Sequence, residues 1–363
     1  MDPFDIHPDI TRAHTPPGAF YSDAELHART KEQVFVPSWQ LLGGVRERLT
    51  GPEAAVPFTL LPGCLDEHLL LVRDDQGQER CLSNVCTHRG MLLCSEPGPV
   101  RRLRCGYHGR CFDLTGRMTS MPEFEQAVDF PSPTDDLTAA HLEKWGPLTF
   151  AGLNPAVDFA AWLDPVRQRM DFLPLDRFVF DPARSRDYEV HANWALYCEN
   201  YLEGFHIPFV HPELNKALDW QAYEVELHAG SSLQIGIADG EGAVFDLPQE
   251  HPDAGRKVAA YYWWLFPNLM LNFYPWGLSA NIVEPRGPSA ARVRFLSYVW
   301  REPLLETGAG GPLDAVERED EAVVEAVQLG VGSRLYGRGR YSPTQEKGTH
   351  HFHRLLVSAL FDQ

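Results

Sequence analysis

An α+β chain of two domains is predicted by this sequence: an all-β domain first, then a domain of antiparallel sheet with helices. Three observations carry that prediction. Residues 38–152 consist of short apolar runs, such as "SWQLLGGV", "LLLVRDDQG" and "CFDLTGR", divided by Gly, Pro and Asp. That is the rhythm of short strands joined by tight turns. From residue 193 a helical stretch, "NWALYCENYLEGFH", leads into long β-type segments at 221–238, 258–284 and 292–301. Two more helical stretches, "DAVEREDEAVVEAVQLG" and "THHFHRLLVSALF", close the chain.

Taken in order, residues 1–37 read as an arm with a short helix, "SDAELHARTKEQVF", capped at Ser22 and carrying acids in its first turn. Residues 38–152 form the first domain, in which "DDQGQ" and "DLTGR" read as hairpin turns. Residues 153–363 form the second. Its opening, 153–192, is mixed and rich in Pro, Asp and Arg, and "GAGGP" (Gly308–Pro312) is a flexible joint ahead of the late helix. The most apolar window, "YYWWLFPNLMLNFYPWGL" at 261–278, is interrupted by Pro267, Asn268, Asn272 and Pro275. One clean membrane helix is therefore excluded, and one or two strands lining an apolar space are expected. A length of 363 residues suffices for two packed domains. The net charge of −18, from 32 basic and 50 acidic residues, argues against nucleic acid or an anionic membrane as partner. The opening "MDPFDIHPDITRAHTPPG" has no basic start and no apolar stretch, so a cytoplasmic location is expected.

Seven cysteines are present, Cys64, Cys81, Cys86, Cys94, Cys105, Cys111 and Cys198, six of them within 64–111. Their odd number and their clustering beside histidines favour metal in a reducing compartment over a disulfide framework. "CTHRG" (86–90) and "CGYHG" (105–109) each set one Cys close to one His. Thiolate with imidazole suits zinc or iron–sulfur. Zinc would take all four ligands on one ion. A [2Fe–2S] centre of the Rieske type takes two Cys on one iron and two His on the other. Two loops, each giving one ligand to each iron, meet that need: Cys86 and Cys105 to one, His88 and His108 to the other. Gly90, Gly106 and Gly109 let backbone amides approach the sulfurs. Structural zinc, whose usual repeats differ from this one, stays open on spacing alone.

The flanks "NVCTHRGMLLC" and "CGYHGRCFDLTGR" resemble the two ligand loops of the Rieske non-haem iron oxygenases, in their alpha (terminal oxygenase) subunits. The resemblance runs from "SWQLLG" near 38 to "HHFHRLL" near 350. It implies an N-terminal all-β, sandwich-like Rieske [2Fe–2S] domain and a C-terminal helix-grip catalytic domain that holds mononuclear Fe(II). Arg110 departs from the family pattern, which usually places an aromatic residue after the second His-Gly, packed beside the cluster.

In "ENYLEGFHIPFVHPELN" (199–215), His206 and His211 are five residues apart. On an unbroken α-helix that spacing turns about 140° past a full circle, so the two rings would not face one ion. Pro208 is expected to break the helix and swing His211 round. Two His and one carboxylate make a facial triad for Fe(II) with positions left open. By resemblance the carboxylate comes from the late helix, where Glu319, Asp320 and Glu321 stand in a row. The family pattern points to Asp320, with Glu319 next. Glu203, on a helix expected to span 193–205, is by resemblance the acid that joins the two metal sites. It would accept from an iron-ligating histidine and from a Rieske histidine of the neighbouring subunit in a ring-shaped trimer, which is within a carboxylate's acceptor capacity. Glu at this place is similar to relatives acting on quaternary amines, such as carnitine and choline monooxygenases, whereas many ring-hydroxylating relatives carry Asp.

Other features read as structure. Trp194 belongs in the core, and Glu199 or Asn200 sits near the iron without binding it. "HHFH" (350–353) is a packing helix rather than a metal tract. Trp263, Trp264, Phe273, Tyr274 and Trp276 lie on the catalytic sheet, where alternate residues face the pocket. They suit a planar apolar substrate, a methylated ammonium held by cation–π contact, or plain core packing. No flavin or dinucleotide fingerprint is present, so electrons are expected from a separate NAD(P)H-dependent reductase, with or without a ferredoxin. The expected function is a terminal oxygenase that uses O2 and those electrons to hydroxylate or N-demethylate a small organic substrate, a quaternary amine or an aromatic. The alternatives are a Rieske electron carrier with a non-catalytic ligand-binding domain, and a zinc-stabilised binding protein.

Overall fold

Tight turns punctuate residues 36–156, one of two units into which the chain divides; the other comprises residues 1–35 and 157–363. The computed structural model describes residues 4–211, 224–238, 242–305, 307 and 313–361. Residues 36–156 form β1 (Gln40–Leu41), β2 (Ala54–Leu60), β3 (Glu67–Arg73), β4 (Glu79–Ser83), β5 (Gly98–Pro99), β6 (Leu103–Arg104), β7 (Cys111–Phe112), β8 (Met118–Ser120), β9 (Ala139–Trp145) and β10 (Leu148–Gly152). One sheet runs β1-β10-β9-β4-β3-β2-β5, and β6-β7-β8 make a smaller one. Leu70, Val72 and Leu82 of the first share a core with Leu103 and Phe112 of the second, and Cys86 and Cys105 are buried in that same core. Both Cys-bearing loops are therefore rooted in close-packed side chains.

The two expected turns are built by aspartates. Between β3 and β4 the Asp74 carboxylate accepts the N–H groups of Gln76 (3.0 Å) and Gln78 (2.8 Å). Between β7 and β8 Asp113 accepts from Thr115 (2.8 Å) and Arg117 (3.1 Å). A side-chain oxygen that satisfies turn amides is what favours Asp there.

Glu79 opens β4 with its side chain 4% exposed, and three cations reach it: Arg73 and Lys144 at 2.7 Å, Arg46 at 3.3 Å. Burial works against its charge, but Lys144, Arg73 and Arg46 outweigh burial and hold the carboxyl below its ordinary range. Because the folded value is depressed, the stabilisation is complete above the unfolded value and is lost as pH falls through the folded one. Glu79→Gln is expected to cost about 2 kcal/mol at neutral pH, a buried-pair loss discounted for the solvent exposure of the cations. Urea unfolding followed from about pH 7 to pH 3 checks this: the gap between wild type and variant should narrow as acid is added.

The second unit opens with α1 (Ala24–Thr30). Its cap is Asp23, not Ser22: the Asp23 carboxylate accepts the Leu26 N–H at 2.8 Å. Both residue types cap well, and the one whose oxygen reaches the third amide of the helix takes the role. Phe4 lies edge-on to Phe20 and Phe361, which ties the arm to the chain's last helix. There follow α2 (Phe159–Met170), β11 (Val179–Val190), α3 (Trp194–Tyr201), α4 (Ile207–Val210), β12 (Glu224–His228), β13 (Ser231–Ile237), β14 (Val258–Leu265), β15 (Leu269–Tyr274), β16 (Gly277–Gly287), β17 (Ala290–Val299), α5 (Leu313–Val331) and α6 (Lys347–Phe361). The strands make one antiparallel sheet in the order β11-β17-β16-β15-β14-β13-β12. The most apolar window is thus strand, and among the described residues no helix is long and apolar enough to cross a membrane.

Register draws a polar row across this apolar sheet. Gln234 pairs with Tyr262, Tyr262 with Asn272, and Asn272 with Ser279. Directly paired residues share one face, so the row forms a polar strip on an otherwise buried surface. Helix α3, capped by Asn193 on the Ala195 amide at 2.9 Å, packs Trp194 against Phe35 and Phe352. In α6 the "HHFH" histidines take separate partners. His350 bonds the His7 carbonyl (2.8 Å), His351 the His228 carbonyl (2.8 Å) and His353 the Tyr341 hydroxyl (2.7 Å).

Helix α3 stops at Tyr201, short of the expected 205. The Glu203 carboxylate accepts the backbone N–H groups of Phe205 and His206 and turns the chain out of the helix. Gly348 of α6 passes close behind: a Cβ there would lie 2.3 Å from the Leu202 carbonyl oxygen. The expected joint at Gly308–Pro312 lies outside the described residues.

Candidate metal centres and active site

Two loops of matched construction carry the first group. Cys86 N–H donates to the Met91 carbonyl (2.9 Å) and Gly90 N–H to the Cys86 carbonyl (3.0 Å); Cys105 N–H donates to the Arg110 carbonyl (2.8 Å) and Gly109 N–H to the Cys105 carbonyl (3.1 Å). Gly90 and Gly109 close the loops at φ 74° and 78°, which glycine adopts without strain. The loops bring all four expected residues together. The His88 and His108 ring centroids are 4.8 Å apart, and the Cys86 and Cys105 thiols lie close enough for each to influence the other's proton.

Burial pushes the Cys86 thiol up. At Cys105 burial is outweighed by hydrogen bonds from Tyr107 N–H, the Cys86 thiol and His108 N–H, which pull it down. Burial, and next the neighbouring His108, hold His88 below its ordinary value, so its ring is neutral at pH 7. His108 Nδ1 is buried with no hydrogen-bond partner among the described residues. Two soft sulfur donors, an imidazole kept neutral and a second one with a dry, unpaired nitrogen fit a Rieske cluster. Cys64, Cys81, Cys111 and Cys198 are buried elsewhere, and burial lifts the Cys81 thiol to about 12, which leaves it inert.

The second group surrounds α4. Pro208 does not break a helix between the two histidines. It sits in the first turn of α4, where its missing N–H costs nothing. His206 and His211 instead cap the two ends of that single turn, His211 in a non-helical conformation (φ −117°, ψ 77°). Their ring centroids are 5.1 Å apart. Donor atoms of His206, His211 and Asp320 all lie within 4.8 Å of one another.

Of the three late acids, it is Asp320 that lies between the rings. Its Oδ1 is 3.5 Å from His206 Nε2 and 3.0 Å from His211 Nε2, and it accepts from Asn200 Nδ2 at 2.6 Å. Glu319 takes the other nitrogen of His211, Nδ1, at 2.7 Å. Glu203 does the same for His206, Oε1 to Nδ1 at 2.7 Å. Each histidine is thus gripped by a carboxylate on its Nδ1 side and offers Nε2 to one common point. That is the outer support a histidine ligand needs. Burial lowers the proton affinity of His211, but Asp320 and then Glu319 outweigh it and raise it above the ordinary value. Two imidazole nitrogens and one carboxylate oxygen fit a facial Fe(II) site.

A cavity of about 120 Å³ opens beside these three residues, bounded by Tyr197, Tyr201, Gln234, Tyr262, Asn272, Tyr274, Asn281 and Glu317. Its floor is the polar row of the sheet. Tyr201 donates to Asn272 Oδ1 at 2.7 Å, and Tyr197 donates to the buried Glu317 carboxylate at 2.5 Å. Burial, with the Glu317 and Asp320 charges behind it, keeps Tyr197 protonated. Tyr262 meets Tyr274 edge-on, and Tyr274 stacks on Trp276. Of the aromatics singled out in the sequence, Trp263, Trp264 and Phe273 are core and Tyr274 faces the cavity. Sequence reasoning missed Tyr262, Gln234, Asn272 and Glu317. A usable signal existed for Asn272: it is a lone amide within the apolar strand "LMLNFY".

A family model described as "Rieske [2Fe-2S] domain" matches residues 59–133, and one described as "Ring hydroxylating alpha subunit (catalytic domain)" matches residues 180–360. The chain is similar to the chloroplastic choline monooxygenase of Arabidopsis thaliana, 28% identical over 97% of this chain and 84% of that protein. It is also similar to the carnitine monooxygenase oxygenase subunit of Escherichia coli (strain K12), 28% identical over 96% of this chain and 95% of that one. Among solved structures, a quaternary ammonium Rieske monooxygenase in complex with its substrate L-carnitine shares the fold, with TM-score 0.76 and 22% identity over 99% of both chains. Naphthalene 1,2-dioxygenase from Rhodococcus sp. bound to indole shares it with TM-score 0.73 and 20% identity over 95% of this chain and 93% of that one. The match at 180–360 is to a catalytic domain, and nothing favours an electron carrier with an inert second domain. With a [2Fe–2S] cluster, a mononuclear iron and electrons from a reductase or ferredoxin partner, the chain belongs to the Rieske non-haem iron oxygenases, as a terminal oxygenase alpha subunit.

Proposed function

We propose that this oxygenase is a monooxygenase of a small quaternary ammonium compound, and that it works in the cytoplasm as a homotrimer with an NAD(P)H-dependent reductase. The chemistry of the cavity carries the substrate class. It presents the Glu317 carboxylate, the Tyr262 and Tyr274 rings and neutral amides, and among its described residues no Lys or Arg. A carboxylate and ring faces attract a cation, whereas the carboxylate of an aromatic acid would meet Glu317 with no Lys or Arg among the described lining residues to offset it. A cavity of about 120 Å³ favours a compact substrate over a multi-ring one. The choline and carnitine monooxygenases to which the chain is similar are named for such compounds.

In this reading Cys86 and Cys105 would hold one iron of the cluster and His88 and His108 the other, while His206, His211 and Asp320 would hold the mononuclear iron. When bound, that iron supplies O2 activation, so that one oxygen atom enters a C–H bond on a carbon attached to nitrogen and the other leaves as water, two electrons and two protons being consumed. The chain's own side chains do the positioning. Glu203 and Glu319 fix the His206 and His211 rings, Asn200 holds Asp320, and Glu317 with the tyrosine rings anchors the ammonium. Glu203 Oε1 retains acceptor capacity for one more imidazole, which in the proposed trimer is a Rieske histidine of the neighbouring chain. Phe205 and Phe209 beside Glu203 are exposed, as are Met91, Leu92 and Tyr107 beside the Rieske histidines. A trimer would cover both apolar sets.

With purified reductase, coupled product is expected from trimethylammonium alcohols or acids and not from aromatic acids. Coupled turnover of an aromatic acid alone would overturn the substrate class. Glu317→Gln is expected to raise KM for the ammonium substrate roughly thirtyfold, the loss of about 2 kcal/mol of charge pairing. Iron content should stay unchanged, and an unaltered KM would remove Glu317 from the role.

A further inference from the structure

Arg110 is a cation with only 2% of its surface exposed. Its backbone carbonyl closes the second ligand loop on Cys105, and its side chain reaches the first. Nη1 donates to Thr87 Oγ1 at 2.7 Å and meets Asp135 Oδ1 at 3.3 Å. Thr87 lies between Cys86 and His88, and its hydroxyl donates to the Asp135 carbonyl at 2.7 Å. The guanidinium carbon stands 5.7 Å from the Phe124 ring centre and 5.3 Å from that of Phe130, and Phe124 in turn packs edge-on against His88. The cation is therefore fixed in a dry, aromatic setting and touches the residue between two expected cluster ligands.

Reduction adds one negative charge to the cluster. A fixed positive charge in low dielectric stabilises that charge far more than it would in water. Asp135 opposes it, but its side chain is 20% exposed against 2% for Arg110, so solvent screens the anion more.

We infer that Arg110 sets the reduction potential of the cluster, raising it through a buried charge held against the first ligand loop by Thr87. The test is a redox titration of the purified holoenzyme, with the reduced cluster followed by electron-spin resonance. Arg110→Gln, which keeps donors but loses the charge, is expected to lower the reduced-to-oxidised ratio about tenfold at a fixed poise, a shift of ~59 mV for one electron. Arg110→Lys is expected to stay closer to wild type. Asp135→Asn, which removes the opposing anion, is expected to shift the ratio the other way. A structural role alone would lower the unfolding temperature of these variants without moving the potential. A loaded Arg110→Gln cluster at the wild-type potential overturns the inference. If that variant holds no cluster, an unchanged or lowered potential in Asp135→Asn overturns it instead.

Discussion

Asp320→Ala is expected to abolish coupled turnover while leaving the Rieske cluster spectroscopically intact. Asp320 is the acid whose Oδ1 faces both His206 Nε2 and His211 Nε2, and Asn200 holds it there. Alanine removes the one oxygen donor of the group and leaves two imidazoles, too few for a stable facial site. Iron per chain should fall from about three to about two. Product formation should fall at least about a thousandfold, the loss of several kcal/mol of metal assistance. Glu319→Ala provides the contrast. Glu319 touches the far nitrogen of His211, so its loss should weaken iron retention by about tenfold rather than abolish it. Equal damage from both changes would mean that Glu319 shares the metal.

Glu203→Gln is the second large effect. The carboxylate does three things within its own chain: it accepts from His206 Nδ1 at 2.7 Å and from the backbone amides of Phe205 and His206. Glutamine keeps the size but halves the acceptor capacity and loses the charge. In the proposed trimer the same group also meets the neighbour's Rieske histidine. Steady-state rate is expected to fall about a hundredfold, at the upper end for an outer-shell partner of a metal-bound histidine. Stopped-flow reoxidation of the pre-reduced cluster should slow by a similar factor with iron content unchanged. Reoxidation within about twofold of wild type would remove Glu203 from the electron path.

How much of this was legible in the sequence depends on distance along the chain. "CTHRG" and "CGYHG" are local: each loop carries its ligand types, its closing glycine and its turn within five residues, so the two pairs stand out in isolation. His206 and His211 were legible as a pair, but the means of bringing them together was not. Pro208 is tolerated at the start of a helix, and the break falls earlier, where Glu203 captures backbone amides that no local pattern announces. Three acids in a row on α5 differ only by about 100° of helical phase each, and the direction α5 presents to α4 is a tertiary fact. The cavity floor was the least legible part. Gln234, Tyr262, Asn272 and Ser279 come from four strands and meet only through register. Single polar residues inside buried strands hint at such a row without saying which partner lies opposite. The capping of α1 shows the limit of local rules, since Ser22 and Asp23 are both good caps and only the backbone path selects Asp23.

The most direct test of a cluster and a mononuclear iron working together in this chain is a reductase-free single turnover. Protein with its cluster fully reduced is mixed with O2 and a trimethylammonium substrate, and the cluster spin signal and the product are quantified in the same samples. The expected result is product formed in step with loss of the signal, with both absent in Asp320→Ala. A signal that decays equally fast without the mononuclear iron, or without any product, would contradict it.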